Sequence, residues 1–167
     1  MRNEATLTGV STPAPTLAPA ATIRCFENRH YPAARDLWDR TPGVGVSDAD
    51  EPDAIARFLE RNPQLSFVAT VDAQVVGTIL CGHDGRRGFI HHLVVAADQR
   101  RRGLGRRLLQ AGLSALQAEG LTKCHLFVFR DNDDGLAFWR SVSAVERREL
   151  QLLSLPIPAD ALVRNTP

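Results

Sequence analysis

Cysteine is scarce and unpaired in this 167-residue chain, with Cys25, Cys81 and Cys124 widely spaced and no C-x-x-C among them. That argues against a disulfide framework and a zinc site, and fits a reducing, cytoplasmic compartment. Lysine is nearly missing too. Nineteen of the twenty basic residues are Arg, Lys123 being the exception, and nineteen acids bring the formal net charge to +1. A protein that coats DNA or RNA usually carries a basic excess over a whole face, so near-neutrality and ten aromatic residues speak against nucleic acid as a partner. No apolar run approaches the roughly 18 residues of a membrane span, and the N-terminus lacks the charged-then-apolar pattern of a secretory signal. The expectation is therefore no membrane partner.

What is present is enough for one domain with a proper core, 44% of residues being hydrophobic. Residues 1–21, rich in Ala, Thr and Pro without periodicity, read as a flexible leader, and 158–167 as a flexible tail. Between them, 22–157 alternates strand and helix signals. "TIRCFENR" (22–29) reads as a strand, 31–40 as a helix with Ala34, Leu37 and Trp38 on one face, and 48–62 as a second helix with Ile55, Phe58 and Leu59 inward. Acids Asp48, Asp50, Glu51 and Asp53 crowd the start of that helix, as its dipole prefers. Two strands joined at Asp72–Gln74 follow, then a turn at 85–88 and a strand at 88–95. An amphipathic helix runs from Leu104 and ends at Gly120. A buried strand (123–129), a helix (133–143) and a last strand (145–155) complete the order. The strand–helix–strand unit at 88–129 implies parallel strands and the meander before it antiparallel ones. The expected fold is α/β, with a mixed, mostly antiparallel sheet flanked by helices.

The densest signal is "QRRRGLG", Gln99 to Gly105, lying between a strand end and a helix start. Free backbone N–H groups and the helix dipole attract an anion at such a place. Gly103 and Gly105 let the backbone approach it closely, and the arginines add charge and donors. The third glycine of the dinucleotide fingerprint is missing and no G-K-[ST] follows, so two common phosphate motifs are excluded. Asp131, Asp133 and Asp134 lack a histidine partner and read as a helix start, so no metal is expected.

The pattern Arg100-x-x-Gly103-x-Gly105 resembles the acetyl-CoA site of the GCN5-related N-acetyltransferases, whose signature is [QR]-x-x-G-x-[GA]. Residues 22–157 resemble the family in order of elements, and "WDRTPGVGVSDADEPDAIARFLERNP" also looks like a subgroup of small bacterial members. The resemblance implies a parallel strand pair that splays apart, with Leu93, Val94 and Val95 on the strand whose open edge pairs with the pantetheine arm. It places the pyrophosphate of acetyl-CoA, as co-substrate, on the loop of Arg100, Arg101, Arg102, Gly103, Leu104, Gly105 and Arg106. It puts Asn132 on the pantetheine and Phe138 and Trp139 among the cofactor-binding residues, Trp139 walling the thiol. The backbone N–H groups of Leu93 and Val95 would also face the oxyanion that develops during transfer. Where many members carry a Tyr general acid, this chain has Trp139; Ser143 and Val128 stand where a Gly and an acidic residue are common.

Acetylation by direct attack needs a neutral amine, hence a proton acceptor. Adjacent His91 and His92 are the only obvious candidates. Strand periodicity predicts that they face opposite sides, with His91 on the face of Phe89, Leu93 and Val95. That phase, and a match to a proton-handling histidine in serotonin N-acetyltransferase, favours His91; a β-bulge in the strand would exchange the roles. The expected reaction is acetyl transfer to a primary amine, a small molecule or a peptide or protein amine, by an enzyme that the resemblance allows to be a homodimer. An acyl-CoA-binding protein without turnover is the alternative.

Overall fold

A computed structural model describes residues 20–157 of the chain. The expectations for residues 1–19 of the leader and for the tail lie outside that span. Five strands form one sheet in the order β1 (Thr22–Cys25), β2 (Phe67–Val71), β3 (Gln74–His83), β4 (Gly88–Val95) and β5 (Cys124–Leu126). Neighbours are antiparallel except β4 and β5, which are parallel. Helices α1 (Tyr31–Asp39), α2 (Pro52–Arg61), α3 (Leu104–Ala118) and α4 (Asp133–Ser141) flank it. This is the mixed α/β arrangement that the sequence implies.

Local chemistry accounts for much of it. The β2–β3 connection is a two-residue turn in which Asp72 and Ala73 both have positive φ (47° and 66°), the twist that antiparallel strands favour. Apolar residues on opposite sides of the sheet build two cores. On one side, Ala34, Leu37 and Trp38 of α1 and Ile55 of α2 pack with Val68, Leu80 and Val94. On the other, Leu104, Leu108, Leu109 and Leu116 of α3 pack with Ala69, Ile79, Cys81 and Ile90. Burying these side chains contributes about 1.5–3 kcal/mol each before entropy is counted.

Four expectations change. β1 stops at Cys25, and Asn28–His30 form a 3₁₀ turn leading into α1. The predicted helix at 48–62 is divided: Asp48–Asp50 is a separate 3₁₀ turn, and α2 starts at Pro52, which cannot continue a helix from before it. β5 has three residues, all half-buried, whereas Phe127 and Phe129 beyond it are exposed. Among the described residues the predicted strand at 145–155 is not formed: the chain turns at 148–149, with the Leu150 N–H donating to the Arg147 carbonyl (3.1 Å), and the segment is exposed. A strand needs a neighbour for its backbone groups, and an apolar pattern cannot supply one by itself.

Candidate active site

β4 controls the site, because its ladder to β3 is interrupted. Thr78 pairs with Val94 and Leu80 with His91, so Ile79 alone on β3 faces His92 and Leu93 on β4. This is a β-bulge, and His92 occupies the left-handed region at φ 44°, which a non-glycine residue adopts only when its surroundings hold it there. Two bonds hold it. Trp38 Nε1 donates to Thr78 Oγ1 (2.9 Å), and Thr78 Oγ1 in turn donates to the His92 carbonyl (2.8 Å).

The bulge overturns the simple alternation. His91 sits opposite Leu80 and has its ring edge-on to Phe58 of α2, with centroids 6.1 Å apart. His92 stacks on Trp38 of α1 at 4.5 Å. Both histidines therefore look to the α1–α2 side, whereas Leu93 and Val95 pack on the α3 side. The expectation that His91 shares a face with Leu93 and Val95 is incorrect, because one extra residue reverses the phase of everything beyond it.

His92 meets a partner that the sequence did not reveal. Its Nε2 lies 2.5 Å from Asp50 Oδ1, and the two side chains are 12% and 9% exposed. Asp50 Oδ2 accepts from the Ser47 backbone N–H (2.9 Å), and the Asp50 carbonyl accepts from the Tyr31 hydroxyl (3.0 Å). Asp50 is thus not one more helix-start acid: it is buried and ties the α1–α2 connection to the bulge. The spacing in sequence, forty-two residues, gave no signal of it. The acids beside it do behave as surface charges, Asp53 in the first turn of α2 and Glu51 paired with Arg35.

Burial, followed by the neighbouring His92, holds the His91 imidazolium below its ordinary range, with Asp50 opposing. His91, Phe58 and Phe89 line a hollow of about 250 Å³, with Arg61 and Asp84 at its edge. Beyond Ile90, β4 has no partner on the β5 side among the described residues: the parallel pairing covers only Gly88–Ile90 against Cys124–Leu126. The two strands splay, as the sequence resemblance implies. Across the opening the α1–α2 connection approaches β5. A Cβ at Gly45 would stand 2.8 Å from the Phe129 ring, so any larger residue there would have to push that ring aside.

The open edge of β4 leads to the loop before α3. Gly103 caps that helix at φ 75°, and Arg101 is also left-handed at φ 62°. Among the described residues, no acceptor takes up the backbone N–H groups of Arg101 to Arg106; the first to bond is Arg107, to the Gly103 carbonyl (3.1 Å). A run of unpartnered N–H groups at a helix N-terminus is an anion cradle. Leu93, Val95, Leu104, Phe138 and Trp139 all pack in the core beneath it, and Val94 is buried on the opposite face. A Cβ at Gly105 would lie 3.3 Å from Phe138.

Several expected ligand residues already have partners. Arg100 Nε donates to the Val95 carbonyl (3.0 Å), Arg102 to the Gln99 side chain, and Arg106 to Ser141 of α4. Asn132 caps α4 by accepting from Gly135 N–H (2.9 Å), while its amide donates to the Gly43 carbonyl (3.2 Å). It links the α1–α2 connection to α4.

Comparison with known proteins agrees with this geometry. The model of the acetyltransferase (GNAT) family matches residues 31–143. An acetyltransferase of Pectobacterium atrosepticum is 37% identical over 111 residues, which is 66% of this chain and 78% of the relative. Ard1 from Thermoplasma volcanium has the same fold, with a TM-score of 0.67 at 24% identity over 75% of this chain and 83% of that one. So does the PaiA N-acetyltransferase from Thermoplasma acidophilum, whose structure is a complex with coenzyme A, with a TM-score of 0.64 at 18% identity over 74% and 88%. A bulged and splayed strand leading into a free N–H cradle, together with these matches over most of the domain, shows that the chain belongs to the GNAT family and is an acetyltransferase.

Proposed function

We propose that the enzyme transfers the acetyl group of acetyl-CoA to a primary amine, of a small molecule or of a peptide or protein, by direct attack, with His92 as proton acceptor. The reading rests on one observation: the opened edge of β4 runs directly into the unpartnered N–H groups of Arg101 to Arg106. These residues fit the co-substrate. The cradle takes the pyrophosphate, Arg101 adds charge beside it, and the β4 edge past Ile90 offers backbone groups to the pantetheine amides. Bound acetyl-CoA supplies an activated thioester carbonyl.

The chain's own residues do the rest. Asp50 accepts the Nε2 proton of His92 and so fixes the tautomer, which leaves Nδ1 as the basic nitrogen. Nδ1 has no partner among the described residues and, since no partnerless polar side-chain atom there is buried, it remains open to solvent or substrate. It takes the proton of the attacking ammonium, directly or through a water. Asp50 then stabilises the imidazolium. The hollow that His91 and Phe58 line, next to His92 along β4, is the place we assign to the acceptor. Trp139 packs half-buried against the core and its indole N–H is a poor acid, so the departing thiolate takes its proton from solvent.

The test is a thiol-release assay with acetyl-CoA against a broad amine panel, alongside calorimetry with CoA. The expected result is micromolar CoA binding and turnover of at least one amine, lost in His92→Ala with CoA binding kept. Turnover that survives His92→Ala unchanged overturns the role given to His92. Absence of CoA binding overturns the whole reading.

A further inference from the structure

The hollow beside His91 is apolar along its walls. Phe58 of α2 and Phe89 and His91 of β4 supply rings, and Gly82 of β3 supplies backbone alone. A Cβ at Gly82 would stand 2.9 Å from both the Phe58 ring and the Asn62 amide, so α2 lies close on the sheet there. The uncharged polar groups around Gly82 are already committed to the fold. Asn62 donates to the Phe58 carbonyl (3.0 Å) and accepts from the His83 N–H (3.1 Å), and His83 Nδ1 accepts from the Gly85 N–H (3.0 Å).

Charge is distributed unevenly about these walls. Toward the bulge, the next residue along β4 is His92 with the Asp50 carboxylate on its Nε2. At the rim, Arg61 stands in the last turn of α2, and its guanidinium has no ion pair or hydrogen bond among the described residues. Asp84, the one acid that lines the hollow, is taken up by its own turn: its Oδ1 accepts the N–H groups of Arg86 and Arg87, both at 2.8 Å. Those two arginines add cations to the same turn, so three arginines stand against one aspartate at this end. The turn rejoins β4 at Gly88, four positions before His92, about 13 Å along a strand that rises roughly 3.3 Å per residue.

We infer that the acceptor is an elongated small-molecule amine with an aromatic or aliphatic body and a carboxylate at the end remote from its amine, and that Arg61 selects it. The inference rests on the acetyl-transfer reading and names the substrate class of that site. The ammonium is drawn to the Asp50–His92 end, where its proton is removed. The body lies on Phe58, Phe89 and His91, in a space of about 250 Å³ that holds one ring or a short chain. The carboxylate meets the planar fork of Arg61, which offers it two parallel N–H donors. A diamine would set its second cation against the arginines, and an uncharged tail would leave Arg61 without a partner. Discrimination of this kind needs both the attractive contact and the repulsive one.

The experiment is calorimetry on the full chain, first with CoA and then, on the CoA complex, with 4-(2-aminoethyl)benzoate and with phenethylamine, which share a ring and an amine and differ in the carboxylate. The carboxylate-bearing amine should bind about tenfold more tightly. Its advantage should shrink at high salt and vanish in Arg61→Gln, while CoA affinity and the binding of phenethylamine stay as they are. In Arg61→Glu the preference should turn toward 4-(2-aminoethyl)benzylamine, the matching diamine. Equal affinity for the first two amines, no binding of either, or a preference that survives Arg61→Gln overturns the inference. The first titration keeps the two readings apart. Absence of CoA binding fells the acetyl-transfer reading, whereas CoA binding without discrimination between the amines fells only the assignment of the acceptor.

Discussion

Removing the Asp50 carboxylate should damage this protein in two separable ways. Asp50→Ala leaves His92 Nε2 without its partner at 2.5 Å and the Ser47 N–H without its acceptor at 2.9 Å, at a position only 7% exposed. Each lost buried partner costs about 1–3 kcal/mol, so a total near ~2–4 kcal/mol follows. For a chain of this size that is a fall in Tm of roughly 5–15 °C, read by circular dichroism. Asp48→Ala is the control: two residues away, exposed, and worth about 0.3–1 kcal/mol at a helix start. Asp50→Asn separates chemistry from packing, because it keeps the shape and an acceptor oxygen but removes the charge that steadies the imidazolium. Asn keeps one acceptor where the carboxylate uses both oxygens, so stability should fall by about 1–3 kcal/mol, less than in Asp50→Ala, whereas kcat/KM should fall roughly 10²–10³-fold, within the range that a general base contributes. CoA affinity, set at the α3 loop, should hold. If Asp50→Ala melts like Asp48→Ala, or Asp50→Asn turns over at the native rate, the buried dyad is not what the geometry implies.

Three other outcomes are expected. Gly103→Val should raise the CoA Kd by more than about tenfold in calorimetry, because nothing lies within 4 Å of its Cβ position and the cost comes from φ 75°, where a β-branched residue strains the cradle by about 1–3 kcal/mol. His91 is held below the ordinary 6.5 by burial and His92, so the unfolded chain takes up its proton first. Stability should therefore be full above pH 6.5 and decline as the pH falls below it, and His91→Gln should flatten that decline in a series of melts. Cys81 is fully buried and burial pushes its thiol up to about 12, so in a thiol-labelling time course at pH 8 it should react only after unfolding.

Interruption and periodicity were enough to place most of the elements. The limits of β4 at Gly88 and Val95 were legible because turn residues bound an apolar run. The start of α3 was legible because Gly-x-Gly opens an amphipathic pattern, and the cradle followed from that local order. Local preference could not place what depends on distant neighbours. The facing of His91 and His92 turns on one extra residue in β4, held in the left-handed region by Thr78 and Trp38 from other elements. Asp50 looks in sequence like its acidic neighbours, and only the packing of α1 and α2 on the sheet brings it to His92. The pattern at 145–155 is a strand pattern, but a strand exists only where another backbone accepts it. Among the described residues none does, because the edge of β5 and the segment after α4 form no backbone hydrogen bonds with each other.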